Sequence, residues 1–377
     1  MNTTFDVAVA GAGLAGLQVA RRLAARGLTV ALFDRKTSLT DGIHTTGIFV
    51  RKTWEDFPLP DEQLGKAIRE VVLYSPRRRA MRLEADHDEF RVGRMGWIYL
   101  YLLEQCSRAG VHWMPSSRLI EIDGSTLVLD RAGKRERITA RYVVGADGAR
   151  SAVAQQLGLD MNREMLVGVE EVVPSRAGKP AMHCFLDPHL APGYIVWIVD
   201  DGEEAHVGVA GYRKGWDPNT ALRAFRAEVE PMAGGKAVER RGGLIPVGGM
   251  LRRIANTRGL LVGDAAGAVS PLTAGGLDGA MRLSSLAADV ILDYFTHGDP
   301  AVLRAYSGDL FHARFMARRW MRHAIRACAH PAAMELACAL LRTPALRGLA
   351  SHVFFARGSF PDVRLPGLTP QKLRSAG

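Results

Sequence analysis

The chain has 377 residues, of which 47% are hydrophobic and 23% charged, and this balance excludes disordered and fibrous proteins. A chain of this length holds material for two or three domains and buries a large core without disulfides or structural metals. The net charge is +10, and residues 301–377 contribute +9 of it, with twelve Lys and Arg against three acids.

The cysteines and the N-terminus indicate the compartment. Four cysteines lie far apart, with neither a CxxC pair nor a His/Cys cluster, so we expect no metal site and no disulfide framework, as in a reducing cytosol. The N-terminus lacks the basic-then-apolar layout of a signal peptide. No uncharged apolar run reaches the roughly 18 residues of a membrane span. We therefore expect a cytoplasmic protein.

A glycine-rich motif follows the first predicted strand. Residues 5–10 are apolar and β-branched, as in a buried strand, and the sequence GAGLAG follows at 11–16. A helix is predicted over 17–26, then a second strand over 28–33 that ends in Asp34. Strand, GxGxxG, helix, strand and a carboxylate about 20 residues further on form the dinucleotide-binding fingerprint in its required context.

The residue types of this unit fit contacts with a nucleotide. Gly11 makes the tight turn, Gly13 lets backbone N–H groups approach a pyrophosphate, and Gly16 lets the helix pack on the sheet. The helix N-terminus attracts phosphate, and Asp34 accepts hydrogen bonds from ribose hydroxyls. The predicted cofactor contacts are Gly11, Gly13, Leu14, Ala15, Gly16, Asp34 and Arg35. The motif alone leaves NAD and FAD both open.

Two later segments favour FAD. GADGARS at 145–151 and GDAAGAVSPLTAGGLDGAM at 263–281 each follow a predicted strand and lead into a helix. Asp264, at the end of its strand, can hold ribityl hydroxyls, while N–H groups at the next helix N-terminus can face the flavin pyrimidine oxygens. The predicted contacts are Gly263, Asp264, Gly275, Gly276 and Leu277.

These three segments, in this order and spacing, resemble the FAD-binding group that includes aromatic hydroxylases and geranylgeranyl reductases. The resemblance implies FAD as the cofactor and an α/β fold of interleaved domains. A Rossmann-type FAD-binding domain takes residues 1–55, 90–165 and 250–295, and an antiparallel-sheet α+β substrate domain takes 56–89 and 166–249. A helical, basic C-terminal region, 296–377, follows, with helices predicted over 300–343 and loose chain over 344–377.

The resemblance also assigns residues near the flavin. Arg94 matches the position where related flavoproteins place an arginine near the FAD pyrophosphate. The loop DGIHTTGI at 41–48 passes the isoalloxazine ring in this group, which makes Thr46 and Gly47 flavin neighbours. Histidine is the residue type that ordinarily exchanges a proton near neutral pH, so His44 in that loop is the candidate proton donor, with a purely structural role as the alternative.

Within the group, the middle of the chain looks most like the geranylgeranyl reductases. Those enzymes carry a YxWxFP motif at the substrate cavity, and residues 194–199 here read YIVWIV. The tryptophan is displaced by one residue, which on a strand turns a side chain to the opposite face. Tyr194 and Trp197 are therefore either substrate contacts or core aromatics. The cysteine that some members place near the flavin is absent, because no cysteine precedes Cys106.

The resemblance predicts an FAD-dependent oxidoreductase that reduces carbon–carbon double bonds of a prenyl or other hydrophobic substrate. Reduced FAD delivers hydride to one alkene carbon, and a nearby acid or water protonates the other. NAD(P)H or another reductant visits transiently, because no second GxGxxG unit exists. The basic C-terminal helices, in which aromatic residues such as Tyr306, Phe311, Phe315 and Trp320 alternate with arginines, predict peripheral contact at the inner membrane face. No nucleic-acid recognition motif accompanies the basic residues.

Three other functions fit the same motifs. An FAD-dependent monooxygenase would hydroxylate an aromatic or polyketide-like molecule through the reaction of reduced flavin with oxygen. A flavin-dependent halogenase shares the first and third motifs, but its WxWxIP stretch is missing here. A non-catalytic flavin- or lipid-binding protein would be yellow but would not be bleached by NAD(P)H with any substrate.

Overall fold

The computed structural model describes residues 3–176, 178–212, 214–355, 360, 361 and 365 and, for residues 3 and 312–314, the backbone alone. The strands are β1 Thr3–Ala10, β2 Val30–Phe33, β3 Ile48–Val50, β4 Glu70–Tyr74, β5 Ala80–Glu84, β6 Phe90–Val92, β7 His112–Met114, β8 Ser117–Asp123, β9 Thr126–Arg131, β10 Lys134–Gly145, β11 Met165–Pro174, β12 Ala181–Phe185, β13 Val196–Asp200, β14 Glu204–Gly211, β15 Glu239–Pro246 and β16 Gly259–Leu261. The α-helices are α1 Leu14–Ala24, α2 Arg51–Asp56, α3 Met95–Arg108, α4 Ala152–Leu157, α5 Pro218–Glu228, α6 Glu230–Ala233, α7 Leu277–His297, α8 Ala301–Ala305, α9 His312–Ala327, α10 Pro331–Leu341 and α11 Pro344–Phe355.

The first sheet contains the parallel strands of the N-terminal unit. Strands β7, β2, β1 and β10 are adjacent and parallel, and β16 also pairs with β10 in parallel. Strands β9 and β8 extend the sheet as an antiparallel pair. One hydrophobic core joins these strands to α1, α3 and α7. The α/β prediction is confirmed.

The carboxyl ends of β1, β2, β10 and β16 meet at one edge of this sheet. The three glycine-rich segments therefore converge there, although they are separated by more than 100 residues in sequence. Gly11 has a φ of +97°, and a Cβ at this position would lie 2.3 Å from the carbonyl oxygen of Ala146. The first and second glycine segments are thus in direct contact, at a distance that only glycine permits.

The second sheet has the strand order β15, β11, β14, β13, β12, β4, β5. Its neighbours are antiparallel except for the parallel pair β12 and β4. Helix α5 packs on β14 and β11 over a separate apolar core. Its strands come from residues 70–84 and 165–246, and those of the first sheet from residues 3–33, 112–145 and 259–261. The domain boundaries given above stay a prediction.

The C-terminal region differs from the expectation in two respects. Residues 344–355, predicted as loose chain, form the helix α11, whereas most of the residues after 355 lie outside the described part. Tyr306, Phe311 and Phe315 are buried in the core of the first sheet. These three aromatic side chains are therefore unavailable to a membrane, because packing against the domain takes up the apolar side of this segment.

Candidate active site

A large cavity of about 1490 Å³ lies between the two sheets and the C-terminal helices. Pockets for one small molecule usually measure roughly 300–1,000 Å³, so this cavity has room for more than one. The edge of the first sheet forms one end of it, and β-strands of the second sheet together with α9, α10 and α11 form the other.

Most residues predicted as cofactor or substrate contacts line this cavity. They are Gly11, Gly13, Leu14, Ala15, Asp34, Arg35, His44, Thr46, Gly47, Tyr194, Trp197, Gly263, Asp264, Gly275, Gly276 and Leu277. The N-termini of α1 and α7 both open into the cavity, and neither helix has a side-chain cap. Two uncapped helix N-termini leave backbone N–H groups available to negatively charged oxygens of a ligand.

The glycine loop fits the cofactor that the sequence predicts. A Cβ on Gly13 would meet no atom within 4 Å, so the backbone here borders open cavity. The Asp34 carboxylate accepts hydrogen bonds from the backbone N–H groups of Ala12 and Lys36, both at 2.8 Å, and thereby fixes the loop against the end of β2. Buried Asp147 Oδ1 has no hydrogen-bond partner among the described residues. The residues present thus fit FAD.

Gly16 and Arg94 do not line the cavity. Gly16 lies behind the loop, where a Cβ would be 1.8 Å from the carbonyl oxygen of Gly11, and so it permits the close packing of helix and loop. Arg94 was predicted near the pyrophosphate, but its guanidinium binds Asp201 at 2.5 Å and Glu203 at 3.1 Å. Because Asp201 is fully buried, this ion pair holds Arg94 against the β13–β14 turn of the second sheet.

Asp264 projects into the cavity, and no described residue donates a hydrogen bond to its carboxylate. Burial raises the pKa of this carboxyl from 3.8 to about 6, because the ionised form is desolvated without a compensating partner. A carboxylate in this state is stabilised when a ligand hydroxyl donates a hydrogen bond to it. Asp264 is therefore suited to hold the hydroxyls of a bound cofactor.

We expect the cofactor-free Asp264→Asn protein to be more stable than cofactor-free wild type at neutral pH, by about 1–3 kcal/mol. Below pH 3.8, folded and unfolded wild-type chains both hold the proton, so the carboxyl has no effect on stability. Between pH 3.8 and about 6, Asp264 holds its proton in the folded chain and has lost it in the unfolded chain. The free energy of unfolding of the wild type therefore falls as pH rises through this range. Urea unfolding of both proteins at several pH values measures the difference, and an equal gap at acidic and neutral pH would contradict this assignment.

Four strands of the second sheet place Trp197, Gly208, Glu170 and Arg241 side by side, in a set that we call the cross-strand row. Trp197 pairs with Gly208, Gly208 with Glu170, and Glu170 with Arg241. A Cβ on Gly208 would lie 2.2 Å from the indole ring, so glycine lets the ring lie across β14. The indole Nε1 then donates to Glu170 Oε2 at 3.0 Å.

Glu170 connects this row to the loop that contains His44. Its carboxylate accepts hydrogen bonds from Thr46 Oγ1 and, at 3.1 Å, from His206 Nδ1, while Arg241 lies at 3.7 Å and donates to the carbonyl oxygen of Thr45 at 3.0 Å. Burial alone would raise the pKa of Glu170, but these hydrogen bonds and the charge of Arg241 lower it below its ordinary value. Glu170 is thus an ionised group that positions Thr46 and Trp197.

The sequence reasoning missed Glu170, Arg241 and Gly208. The available signal was the pair of adjacent acids Glu170 and Glu171 in the otherwise apolar strand Met165–Pro174. Side chains alternate between the two faces of a strand, so one of the two acids had to point to the buried face, where a charge is rare without a partner. The partner of Glu170, Arg241, is 71 positions away in sequence, and the two residues become neighbours only through the register in which β11 pairs with β15.

Both Tyr194 and Trp197 line the cavity and also pack in one apolar cluster of the second sheet, so their contact with a substrate stays a prediction. Strand β13 begins at Val196, so Tyr194 precedes it and the alternation of strand faces does not apply to it. Beyond them, the cavity becomes an apolar chamber. Leu73, Met182 and Leu186 form one wall and Ile325, Met334 and Phe354, from α9, α10 and α11, form the other.

His44 lies where the loop faces the cavity, and its ring Nδ1 is 2.8 Å from the carbonyl oxygen of Gly242. A carbonyl oxygen only accepts hydrogen bonds, so Nδ1 carries a proton and donates it. The other ring nitrogen, Nε2, is consequently the atom that can give or take a proton.

Two family models match the chain. The model described as "FAD binding domain" matches residues 121–317, about half of the chain, and the one described as "Pyridine nucleotide-disulphide oxidoreductase" matches residues 5–172. The first description names FAD and the second names an oxidoreductase of pyridine nucleotides, so FAD as the cofactor is confirmed and a nicotinamide reductant is supported.

Related proteins were found among curated sequences and solved structures. The chain is 30% identical over 314 residues to a digeranylgeranylglycerophospholipid reductase of Methanopyrus kandleri, covering 78% of this chain and 82% of the relative. A geranylgeranyl bacteriochlorophyll reductase-like protein from Thermoplasma acidophilum has a TM-score of 0.85 at 17% identity, over 95% and 96% of the two chains. A probable FAD-dependent monooxygenase from Pseudomonas aeruginosa has a TM-score of 0.68 at 17% identity, over 90% and 100%. The two structures show a shared fold.

Proposed function

Because the chain belongs to the geranylgeranyl reductase-like family of FAD-dependent oxidoreductases, we propose that it reduces carbon–carbon double bonds of a prenyl chain. The observation that carries the proposal is the continuity of the cavity, which runs from the glycine-rich edge of the first sheet into the apolar chamber. A cofactor held at the edge and a hydrophobic chain held in the chamber would meet beside His44 and Thr46. The curated relative is named for a geranylgeranyl lipid, which supports a substrate of this class.

In this proposal the lining residues divide into two groups by ligand. The backbone around Gly13, at the N-terminus of α1, receives the pyrophosphate, while Asp34 and Arg35 lie at the ribose. Asp264 and the N-terminus of α7 receive the ribityl hydroxyls and the flavin ring. At the other end, Tyr194 and Trp197 form the entrance of the apolar chamber, where a chain without polar groups displaces water.

Reduced FAD supplies the hydride for one alkene carbon, and NAD(P)H or another reductant returns the cofactor to its reduced form. The second carbon needs a proton, and His44 Nε2 is the group that we assign to donate it, with water returning the proton to the ring. Glu170 cannot supply it, because hydrogen bonds and the charge of Arg241 keep it ionised. Its task is to hold Thr46 and Trp197 in place, so that the alkene is aligned between the loop and the chamber wall.

The direct test is a single turnover without oxygen. The protein is reduced chemically and mixed with a geranylgeranyl-bearing glycerophospholipid in detergent, and flavin absorbance and product mass are followed. We expect flavin reoxidation together with a product heavier by two hydrogens per reduced bond. No reoxidation with any unsaturated prenyl compound, combined with hydroxylation of a substrate when oxygen is admitted, would support the monooxygenase instead.

A bulky substitution in the wall of the apolar chamber tests whether the chamber holds the prenyl chain. Ala337 of α10 lines the cavity, whereas Ala339, two residues along the same helix, is exposed and does not. We expect Ala337→Trp to lower kcat/KM for a long prenyl chain about tenfold or more, because a bulky ring excludes the distal carbons, and to affect a short prenyl alcohol much less. Ala339→Trp serves as the control and should leave both values near wild type. Equal losses on long and short chains would contradict a role for the distal chamber.

A long prenyl chain is carried in a lipid bilayer, so peripheral contact with a membrane is part of this proposal. No helix in the part of the chain that the structure describes combines the length and hydropathy needed to cross a bilayer. Contact of the protein with lipid would therefore be made from its surface.

A further inference from the structure

Helix α10 presents an apolar face that no described part of the chain covers. Its exposed positions follow one helical stripe, with a spacing of three to four residues, and every one is apolar: Ala332, Ala333, Leu336, Ala339 and Leu340. Leu336 is 64% exposed and Leu340 is 51% exposed. A surface helix of a soluble protein normally carries polar residues on its outer stripe, so this face is typical of a surface that meets another apolar phase.

The cavity opens on the same surface. Four residues both line the cavity and are exposed at its far end, and we call them the apolar rim: Ala324, Leu340, Leu346 and Leu349. Leu340 belongs to the rim and to the exposed stripe of α10 at once. At the opposite, glycine-rich end, three of the exposed lining residues are cations, Arg35, Arg118 and Arg150. One end of the cavity thus suits phosphate, and the other suits hydrocarbon.

The exposed charge around the rim is positive. Residues 331–355 contain one acid, Glu335, whose side chain is largely buried and faces Arg79 and Arg342. Arg347, on α11 among the exposed leucines, is itself exposed. Trp320 is 70% exposed and lies one helical turn before the rim residue Ala324 on α9. An exposed tryptophan together with exposed leucines and an exposed arginine is the composition found at the boundary between headgroups and acyl chains.

We propose that this face, the outer stripe of α10 together with the apolar rim, docks on an anionic lipid bilayer, so that the cavity opens into the acyl region. The inference rests on the proposed function and names the surface by which the substrate enters. A prenyl chain would pass from the membrane into the chamber without crossing water, which removes the cost of exposing it. A second copy of the chain fits this face less well, because it would seal the cavity and bring the Arg347 side chains of the two copies to one interface.

Vesicle binding by the FAD-loaded protein tests the proposal. The probe is sedimentation with vesicles of equal parts phosphatidylcholine and phosphatidylglycerol. We expect wild type to sediment and Leu336→Glu/Ala339→Glu to bind at least about tenfold more weakly, because burial of the leucine is lost and anionic headgroups repel the carboxylates. Neither residue lines the cavity.

The matched control is Met161→Glu/Val238→Glu, which places the same charges on exposed apolar residues elsewhere. Val238 is 65% exposed, nearly the same as Leu336. We expect this control to lose much less binding than Leu336→Glu/Ala339→Glu. Equal losses in the two variants, or no sedimentation of wild type, would overturn the docking surface. Sedimentation equilibrium without lipid completes the test, because a wild-type dimer that Leu336→Glu/Ala339→Glu dissociates would assign the face to a second copy and overturn the proposal.

The outcome separates docking from catalysis. With a short, water-soluble prenyl alcohol and no vesicles, Leu336→Glu/Ala339→Glu should turn over like wild type, while with a prenyl lipid in vesicles it should be slower. Vesicle binding without any reduction would refute the proposed function and leave the docking surface supported. Reduction of the short alcohol without vesicle binding would overturn the docking surface alone.

Discussion

The Gly13→Asp protein is expected to fold normally and to bind FAD at least about 100-fold more weakly than wild type. Gly13 caps the N-terminus of α1 with an ordinary negative φ of −76°, and a Cβ there meets no atom within 4 Å. Aspartate is among the preferred residues at this helix position, so the fold loses nothing. Its carboxylate would take the N–H groups that we assign to the pyrophosphate, and it would repel the phosphates.

FAD titration followed by flavin fluorescence measures the affinity, and thermal unfolding of the cofactor-free protein measures the fold. Gly348→Asp is the control, because Gly348 also has open space around its Cβ position and lies on α11, far along the chain from the glycine loop. We expect the control to bind FAD like wild type. A Gly13→Asp protein that is purified yellow, with unchanged affinity, would refute the assignment of the pyrophosphate to this loop.

Replacing His44 by asparagine is expected to slow the reduction of the alkene about 100-fold, within the range that general acid catalysis usually contributes. The asparagine amide can still donate to the carbonyl of Gly242, as Nδ1 does at 2.8 Å, so the loop keeps its anchor. What the variant lacks is the second nitrogen that gives the proton. FAD affinity and the chemical reduction of the flavin should not change, because neither depends on that proton.

Anaerobic single-turnover measurements separate these steps, with His330→Asn on the surface before α10 as the control. The pH dependence of turnover provides a second readout, since a structural role would not remove a pH-dependent step from the rate. A His44→Asn protein that reduces the alkene at the wild-type rate would show that water supplies the proton and that His44 serves the loop geometry.

Much of the fold could be predicted because its signals are local. The apolar strand before GAGLAG, the helix after it and the carboxylate at Asp34 occupy one short segment, and each lies within a few residues of its predicted place. Helix α1 begins at Leu14 rather than at residue 17, since the last glycine of the motif already belongs to its first turn. Glycines at fixed spacing report backbone geometry directly, which is why three such segments sufficed to identify FAD.

By itself, the sequence determined the family, the cofactor and the glycine-rich end of the cavity. The tertiary structure decided the rest. The position of Arg94 depended on a buried acid about 100 residues away, and the cross-strand row of Trp197, Gly208, Glu170 and Arg241 depended on the register of four strands. The far wall of the chamber comes from helices near the C-terminus, for which the sequence predicted membrane contact or loose chain and not a cavity wall. Local periodicity shows which side of a helix or strand is apolar, but only packing between distant segments shows what that side meets.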